Sequence, residues 1–272
     1  MKDISSCAQI VRDHDYDRYV TTMFADAEHR EALFALYAFN YEVSKTREVV
    51  SDTTLGLIRL TWWREAIDEI YDGKPPRKHE VVTPLADVIS KYKLPKKSFE
   101  TLIYAREFDL EDVLPSDMKG LRKYIEYTLV PLFELAAQIL SGGKKVSYDF
   151  KPLSFVVGVS GLLRALPYHA AQRRCYLPED RLKQEEVSAN DIYNGDNSAE
   201  LRYVIYELVE DIERTLDQLN YDENLKPLML QVTRAKQSIK RLKKYDYNPF
   251  LIPEKPDVFT LRLMLAYYLK RF

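Results

Sequence analysis

The chain has 272 residues, which is long enough for one large domain with a substantial hydrophobic core. Its net charge of −2, with cationic and anionic side chains interspersed, excludes the strongly basic character of nucleic-acid-binding proteins. Eight glycines favour helices over a sheet-rich fold, and two distant cysteines, Cys7 and Cys175, exclude a disulfide framework and indicate a reducing compartment.

Helix-forming patterns run along the chain in order, and no strand pattern is evident. Residues 4–24 are predicted to form one or two short helices capped by Asp13, Asp15 and Asp17. Residues 190–197 are predicted to form a polar loop. The remaining predicted helices cover residues 27–50, 53–73, 81–92, 95–113, 117–141, a segment through 158–171, 199–219, 226–244 and 257–271.

Targeting and membrane-spanning patterns are absent from the sequence. No apolar run approaches the roughly 20 residues of a spanning helix. The start, MKDISSCAQI, lacks the regions of a signal peptide. We therefore expect a cytoplasmic protein. The segment FTLRLMLAYYLKRF has an apolar face and a basic end, so peripheral contact at the inner membrane face is an alternative to packing within a bundle.

Three motifs carry a family resemblance. The first reads "R-x-A-x-x-x-x-YAF" from Arg30 to Phe39, and the second reads "RL-x-WWR" from Arg59 to Arg64. The third is GVSGLLRALPYHAAQRRCYLP, residues 158–178, in which Arg164, Arg174 and the Tyr-Leu-Pro run hold the family spacing. The chain resembles the squalene/phytoene synthase family. This resemblance implies an all-α, single-domain, isoprenoid-synthase-type helical bundle around a central cavity, covering residues 1–272.

The resemblance also places the family's metal-binding positions. Members carry two aspartate pairs, each spaced by four residues, that hold magnesium against a substrate diphosphate. Here the first pair falls on Ser44 and Glu48, and the second falls on Ala165 and His169. One carboxylate does not hold several magnesium ions, so no catalytic residue, metal site or cofactor is assigned, and magnesium enters only under the catalytic alternative.

Further positions depart from the family pattern. Gly158 and Gly161 stand where the family has Gln and Asn, and Leu129, Val130 and Pro131 stand where it has Ala-Gly-Thr. Bulk in place of glycine closes room beside a ligand. Pro167 removes a backbone hydrogen bond in the middle of its helix. The acidic run 107–112 is a candidate replacement metal site. The alternative is a charged helix end, which is the commoner role of such a run.

Several basic and aromatic residues are candidates for holding an anionic ligand without metal. They are Arg47, Arg59, Arg164, Arg174 and Tyr176. The alternative for the residues before Leu-Pro is that they anchor a loop to the bundle. His169 is a candidate general base or a structural histidine. Periodicity predicts that Leu33, Tyr37, Phe133 and Leu162 face inward.

The pattern "LRA-x-PYH-x-x-x-R", from Leu163 to Arg173, is similar to a non-catalytic branch of the family that includes the mitochondrial assembly factor for respiratory complex I. "AFN-x-E" at residues 38–42 and "GL-x-R" at residues 56–59 add to this similarity. The resemblance implies a pseudoenzyme that contacts a protein partner in respiratory complex assembly, or that binds an isoprenoid or lipid phosphate. The alternative is an active magnesium-dependent transferase joining two farnesyl or geranylgeranyl diphosphates head to head.

Overall fold

The structure, a computed structural model, describes residues 4–195, 198–253 and Tyr267. Within these ranges all regular elements are helical, as the sequence predicts. The chain forms two compact units, and each is considered by itself. The first consists of Met1–Glu111, Tyr127–Tyr148 and Asp222–Gln231, and the second of Asp112–Glu126, Asp149–Tyr221 and Val232–Phe272. The interpretation of residues 1–272 as one domain stays a prediction.

Among the residues that the structure describes, the first unit contains seven complete α-helices and parts of two others. They are α1 (Ser6–His14), α2 (Tyr16–Thr22), α3 (Ala27–Ser44), α4 (Thr46–Val49), α5 (Thr53–Tyr71), α6 (Val82–Tyr92), α7 (Lys96–Ala105), the second part of α8 (Met118–Leu140) and the first residues of the helix Lys226–Lys244.

The core of the first unit is built around α3. Twelve of its 18 residues are buried, as its small polar face predicts, and α1, α2, α6 and α7 all pack against it. Phe39 of α3 meets Trp63 of α5 with ring centroids 5.5 Å apart and Phe99 of α7 at 5.3 Å. Both pairs are edge-to-face, the arrangement that the aromatic quadrupole favours.

Two predicted helix starts are confirmed by their caps. The Asp15 carboxylate accepts a hydrogen bond from the Arg18 backbone N–H at 3.2 Å, and Asp52 accepts one from Leu55 at 3.0 Å. Such caps satisfy N–H groups that have no partner within their own helix. The predicted stop after α5 is also present, because Gly73 adopts φ +72°, which favours glycine.

The single helix predicted over residues 95–113 is wrong in its second half. The regular helix ends at Ala105, and a 3₁₀ turn follows at Phe108–Leu110. Long-range contacts compete with the helical pattern here: Glu107 forms an ion pair with Arg64 of α5, and the Thr53 hydroxyl donates to the Leu110 carbonyl at 3.2 Å.

The second unit is organised around α9, which packs against α12 and a 3₁₀ turn at Pro249–Leu251. Leu201, Ile205, Leu208 and Ile212 form the buried stripe of α12. The helices that contribute to this unit are the start of α8, α9 (Phe150–Ala171), α10 (Glu179–Gln184), α11 (Ala189–Tyr193), α12 (Ala199–Asp217) and most of α13 (Lys226–Lys244).

The structure can be compared with the sequence predictions for three segments of this unit. The predicted loop 190–197 instead begins with the helix α11, which a reciprocal capping box between Ser188 and Asp191 stabilises. Pro167 lies inside α9, which nevertheless continues to Ala171. Apart from Tyr267, the helix predicted over 257–271 and the segment FTLRLMLAYYLKRF lie outside the described residues.

Candidate functional site

The first pair of expected metal-binding positions, Ser44 and Glu48, lies in the first unit, at and just after the end of α3. Ser44 is the last residue of α3, and its hydroxyl donates to the Tyr41 carbonyl at 3.0 Å. Glu48 is exposed on the short separate helix α4, where Arg47 is half-buried. The helix break at Lys45 separates Ser44 from Glu48, so the pair does not share one continuous helix face.

A buried ion cluster is centred on Glu42, two residues before Ser44. The side chain of Glu42 is 8% exposed, and it accepts bonds from Lys45 Nζ at 2.5 Å and Arg59 Nη2 at 2.8 Å. Two cations therefore neutralise the one buried carboxylate of this segment. Sequence reasoning missed this cluster, although the spacing of Glu42 and Lys45 by three residues is a signal for such a pair. Arg59, an expected ligand-binding residue, is held by Glu42 here.

The tyrosine of the "YAF" motif, Tyr37, lies in the interior of the protein. Tyr37 is buried, and the Arg18 guanidinium lies 5.5 Å from the centre of its ring. Burial raises the pKa of the Tyr37 phenol, so it stays protonated at neutral pH. Leu33 and Phe133 are buried as predicted.

The second pair of expected metal-binding positions, Ala165 and His169, lies in the second unit, on α9. Ala165 and His169 are both partly buried and follow each other by one turn, so they share a face. The ring centroids of His169 and Tyr176 lie 4.9 Å apart in an edge-to-face contact, and Tyr124 stacks on Tyr176 at 5.3 Å. His169 therefore belongs to an aromatic cluster with Tyr124 and Tyr176.

The protonation state of His169 follows from its surroundings. Burial, and secondly the positive charge of Arg174, lower the pKa of this imidazole to about 4. His169 is therefore neutral at pH 7. Magnesium prefers oxygen ligands, so the pair formed by Ala165 and His169 offers it no suitable group.

The other predicted ligand residues of the second unit have different environments. Arg164 is exposed on α9, Arg174 is half-buried and donates to Gln172, and Tyr176 is 8% exposed. Arg173 donates to Asn190 at 3.1 Å and lies over the ring of Tyr193 at 5.2 Å. Both contacts of Arg173 connect the chain after α9 to α11. Leu162 is half-buried, whereas the neighbouring Leu163 is fully buried.

Two of the four carboxylates in the acidic run 107–112 form ion pairs. Glu107 pairs with Arg64, and Asp109 accepts a bond from Arg106 at 3.3 Å. Among the residues that the structure describes, no group of three or more His, Cys, Asp or Glu side chains is arranged to hold a metal ion.

We expect His169 to make the stability of the fold depend on pH. Because its folded pKa lies below the ordinary 6.5, the unfolded chain binds a proton at higher pH than the folded chain does. Its contribution is complete above about pH 6.5 and is lost as the pH falls towards 4. The free energy of unfolding should therefore fall by about 2 kcal/mol more between pH 7 and pH 5 than in a His169→Phe variant.

Urea unfolding of both proteins at the two pH values measures this difference. Phe keeps a ring beside Tyr176 but cannot take up a proton. An identical pH dependence of the two proteins would contradict the assignment of a neutral, buried imidazole.

Comparison with known proteins gives three results. The profile of the family described as squalene/phytoene synthase matches residues 11–258. The complex I assembly factor 6 of Bos taurus, "NADH dehydrogenase (ubiquinone) complex I, assembly factor 6", is 28% identical over 275 residues, covering 98% of this chain and 82% of that protein. Phytoene synthase 1 of Zea mays is 23% identical over 261 residues, covering 90% and 62%.

The structural comparison concerns the fold. A crystal structure of a dehydrosqualene synthase in complex with a ligand superposes with a TM-score of 0.82 at 16% identity, covering 98% of this chain and 96% of that one. The predicted isoprenoid-synthase-type fold is therefore confirmed. None of the described helices is both long and apolar enough to cross a membrane.

Proposed function

Because the chain belongs to the squalene/phytoene synthase family, we propose that it is a catalytically inactive member that supports the assembly of respiratory complex I. The observation that carries this proposal is the environment of Ala165 and His169 on α9. Ala165 has no ligating group, and His169 is neutral and packed against Tyr176. The 28% identity with a complex I assembly factor over nearly the whole chain supports the choice of role.

The proposal also specifies the location of the protein and the kind of partner that it contacts. It works in the cytoplasm, at the inner face of the membrane, through contacts with a protein of the growing respiratory complex. It requires no cofactor and no nucleic acid. An isoprenoid or lipid phosphate is the small ligand that we propose, with Arg164 and Arg174, together with Tyr176, as its candidate contacts in the second unit.

The competing function is an active magnesium-dependent transferase that joins farnesyl or geranylgeranyl diphosphates head to head. The identity with a phytoene synthase, 23%, keeps this alternative open to test. It would require Glu48, the one carboxylate left at the four motif positions, to ligate magnesium.

Deletion of the gene in the source organism tests the proposal. We expect a several-fold loss of fully assembled complex I on native gels and of NADH:ubiquinone oxidoreductase activity in membranes. Wild-type protein and a Glu48→Ala variant should restore both equally, because the exposed Glu48 has no role in a non-catalytic mechanism.

Two results would overturn the proposal. One is a deletion strain with normal complex I. The other is a Glu48→Ala variant that fails to restore function although it is folded and present at wild-type level, because this result would favour the metal-dependent alternative.

A further inference from the structure

A cleft of about 420 Å³ lies within the first unit, where α1 and α6 pack against α3. The described residues that line it include four carboxylates and one cation: Glu28, Glu31, Glu80, Asp87 and Lys91. The ammonium group of Lys91 lies over the ring of Tyr92, 4.9 Å from its centre. We call this feature the acidic cleft. Its negative charge exceeds its positive charge, so it favours a cation as its ligand.

Three of the four carboxylates have no partner in the part of the chain that the structure describes. Glu31, Glu80 and Asp87 are exposed, and their carboxylate oxygens form no hydrogen bond or ion pair with the described residues. Glu28 lies near His29, with its Oε1 3.7 Å from the ring Nε2. A carboxylate without a partner in the protein gains a charge-assisted hydrogen bond when it meets an arginine or a lysine.

The negative charge extends to the floor of the cleft. Cys7 lines this floor, is 3% exposed and donates through its thiol to the Glu80 carbonyl at 3.5 Å. Burial, and secondly the charges of Glu31 and Glu80, raise the pKa of the thiol to about 12. The N-terminus of α1, capped by Ser5, opposes this charge with about half a positive charge. The full charges of two carboxylates outweigh it.

The floor between the carboxylates is apolar. Ala32, Val88 and Tyr92 line it and are buried. A small hydrated metal ion gains nothing from such a floor, whereas arginine and lysine carry their charge on a hydrocarbon stem that covers apolar surface. Arginine fits best, because its planar fork of N–H groups can donate to two carboxylates at once.

We propose that the acidic cleft docks a basic segment of a protein partner, with an arginine side chain lying on the apolar floor and donating to the surrounding carboxylates. This inference rests on the proposed function for the existence of a protein partner. It adds the charge of the partner's surface and the place where that surface binds. Its test uses purified protein and a peptide, so its failure is separate from a failure of the complex I experiment.

Amide chemical shifts of isotope-labelled protein, recorded during titration with the peptide acetyl-Arg-Leu-Arg-amide, test the site. We expect saturable binding, with the largest changes at the amides of α1, α3 and α6 that border the cleft. Affinity should weaken about threefold in Glu31→Gln and in Asp87→Asn and about tenfold in the double variant, because partly exposed ion pairs contribute modestly one by one. The same peptide with citrulline in place of both arginines should not bind, because citrulline has nearly the shape of arginine without its charge.

Glu134→Gln is the matched control, because Glu134 is an exposed carboxylate of the first unit that does not line the cleft. Spermidine tests a free polyamine as the competing occupant. The proposal is overturned if the arginine peptide does not bind, including the case in which spermidine does, or if the citrulline peptide binds as tightly. It is also overturned if Glu134→Gln weakens binding as much as the double variant. Circular dichroism establishes that each variant is folded.

Discussion

Purified protein is expected to consume farnesyl or geranylgeranyl diphosphate at least about a thousandfold more slowly than an active phytoene synthase, with or without magnesium. The departure of diphosphate needs its charge to be neutralised, and metal assistance contributes several kcal/mol to this step. A loss of ~4 kcal/mol already corresponds to about a thousandfold in rate. Neither Ala165 nor the neutral His169 replaces a metal-binding carboxylate.

Loss of radiolabelled substrate measures this rate, with an active phytoene synthase assayed in parallel as the positive control. The assay is repeated in EDTA. Turnover at the rate of the control enzyme, abolished by EDTA, would contradict the prediction and the non-catalytic function together.

Restoring the carboxylates is not expected to restore catalysis. The combined substitutions Ser44→Asp, Ala165→Asp and His169→Asp should leave activity at least about a hundredfold below that of an active relative, because displacements near 1 Å have effects of this size. Position 44 ends α3 while Glu48 lies on the separate helix α4. A carboxylate at position 169 would lie beside the buried ring of Tyr176, where lost hydration disfavours its charged form.

The same three positions changed to Asn provide the matched control, because Asn has nearly the shape of Asp without its charge. Both triple variants are assayed with geranylgeranyl diphosphate and magnesium. If the Asp variant turned over like an active relative and the Asn variant did not, the missing carboxylates would be the whole defect. The explanations based on the position of Glu48 on α4 and on the buried ring of Tyr176 would then be wrong.

Pro167 lies inside α9 without an N–H to donate, and distortion of this helix is a further expected obstacle to repair. In the structure α9 runs through Pro167 to Ala171, so the missing N–H does not end the helix. Packing of α9 against α12 compensates for one lost hydrogen bond, as tertiary contacts commonly do for unfavourable helix residues. The expected failure of the triple variant therefore rests on Glu48 and Tyr176, and a distortion of α9 at Pro167 stays a prediction.

Local patterns were enough for the fold class, for most helix bounds and for the family. The caps at Asp15 and Asp52 and the burial of α3 depend on residues close in sequence, and such short-range rules can be read directly. The family motifs are also local, since each lies within one helix and the loop that follows it. The replacement of carboxylates at Ala165 and His169 was visible for the same reason.

Only the tertiary structure decided which groups surround these residues. Glu42 is neutralised by Arg59, 17 positions away, and α7 ends early where Glu107 meets Arg64 of α5. His169 has its lowered pKa first because folding buries it and secondly because the positive charge of Arg174 lies nearby. Arg164 of α9 and Arg241 of α13 line one cleft of the second unit although they are distant in sequence. Burial and pairing of charges depend on what the fold places nearby, and no local spacing contains that information.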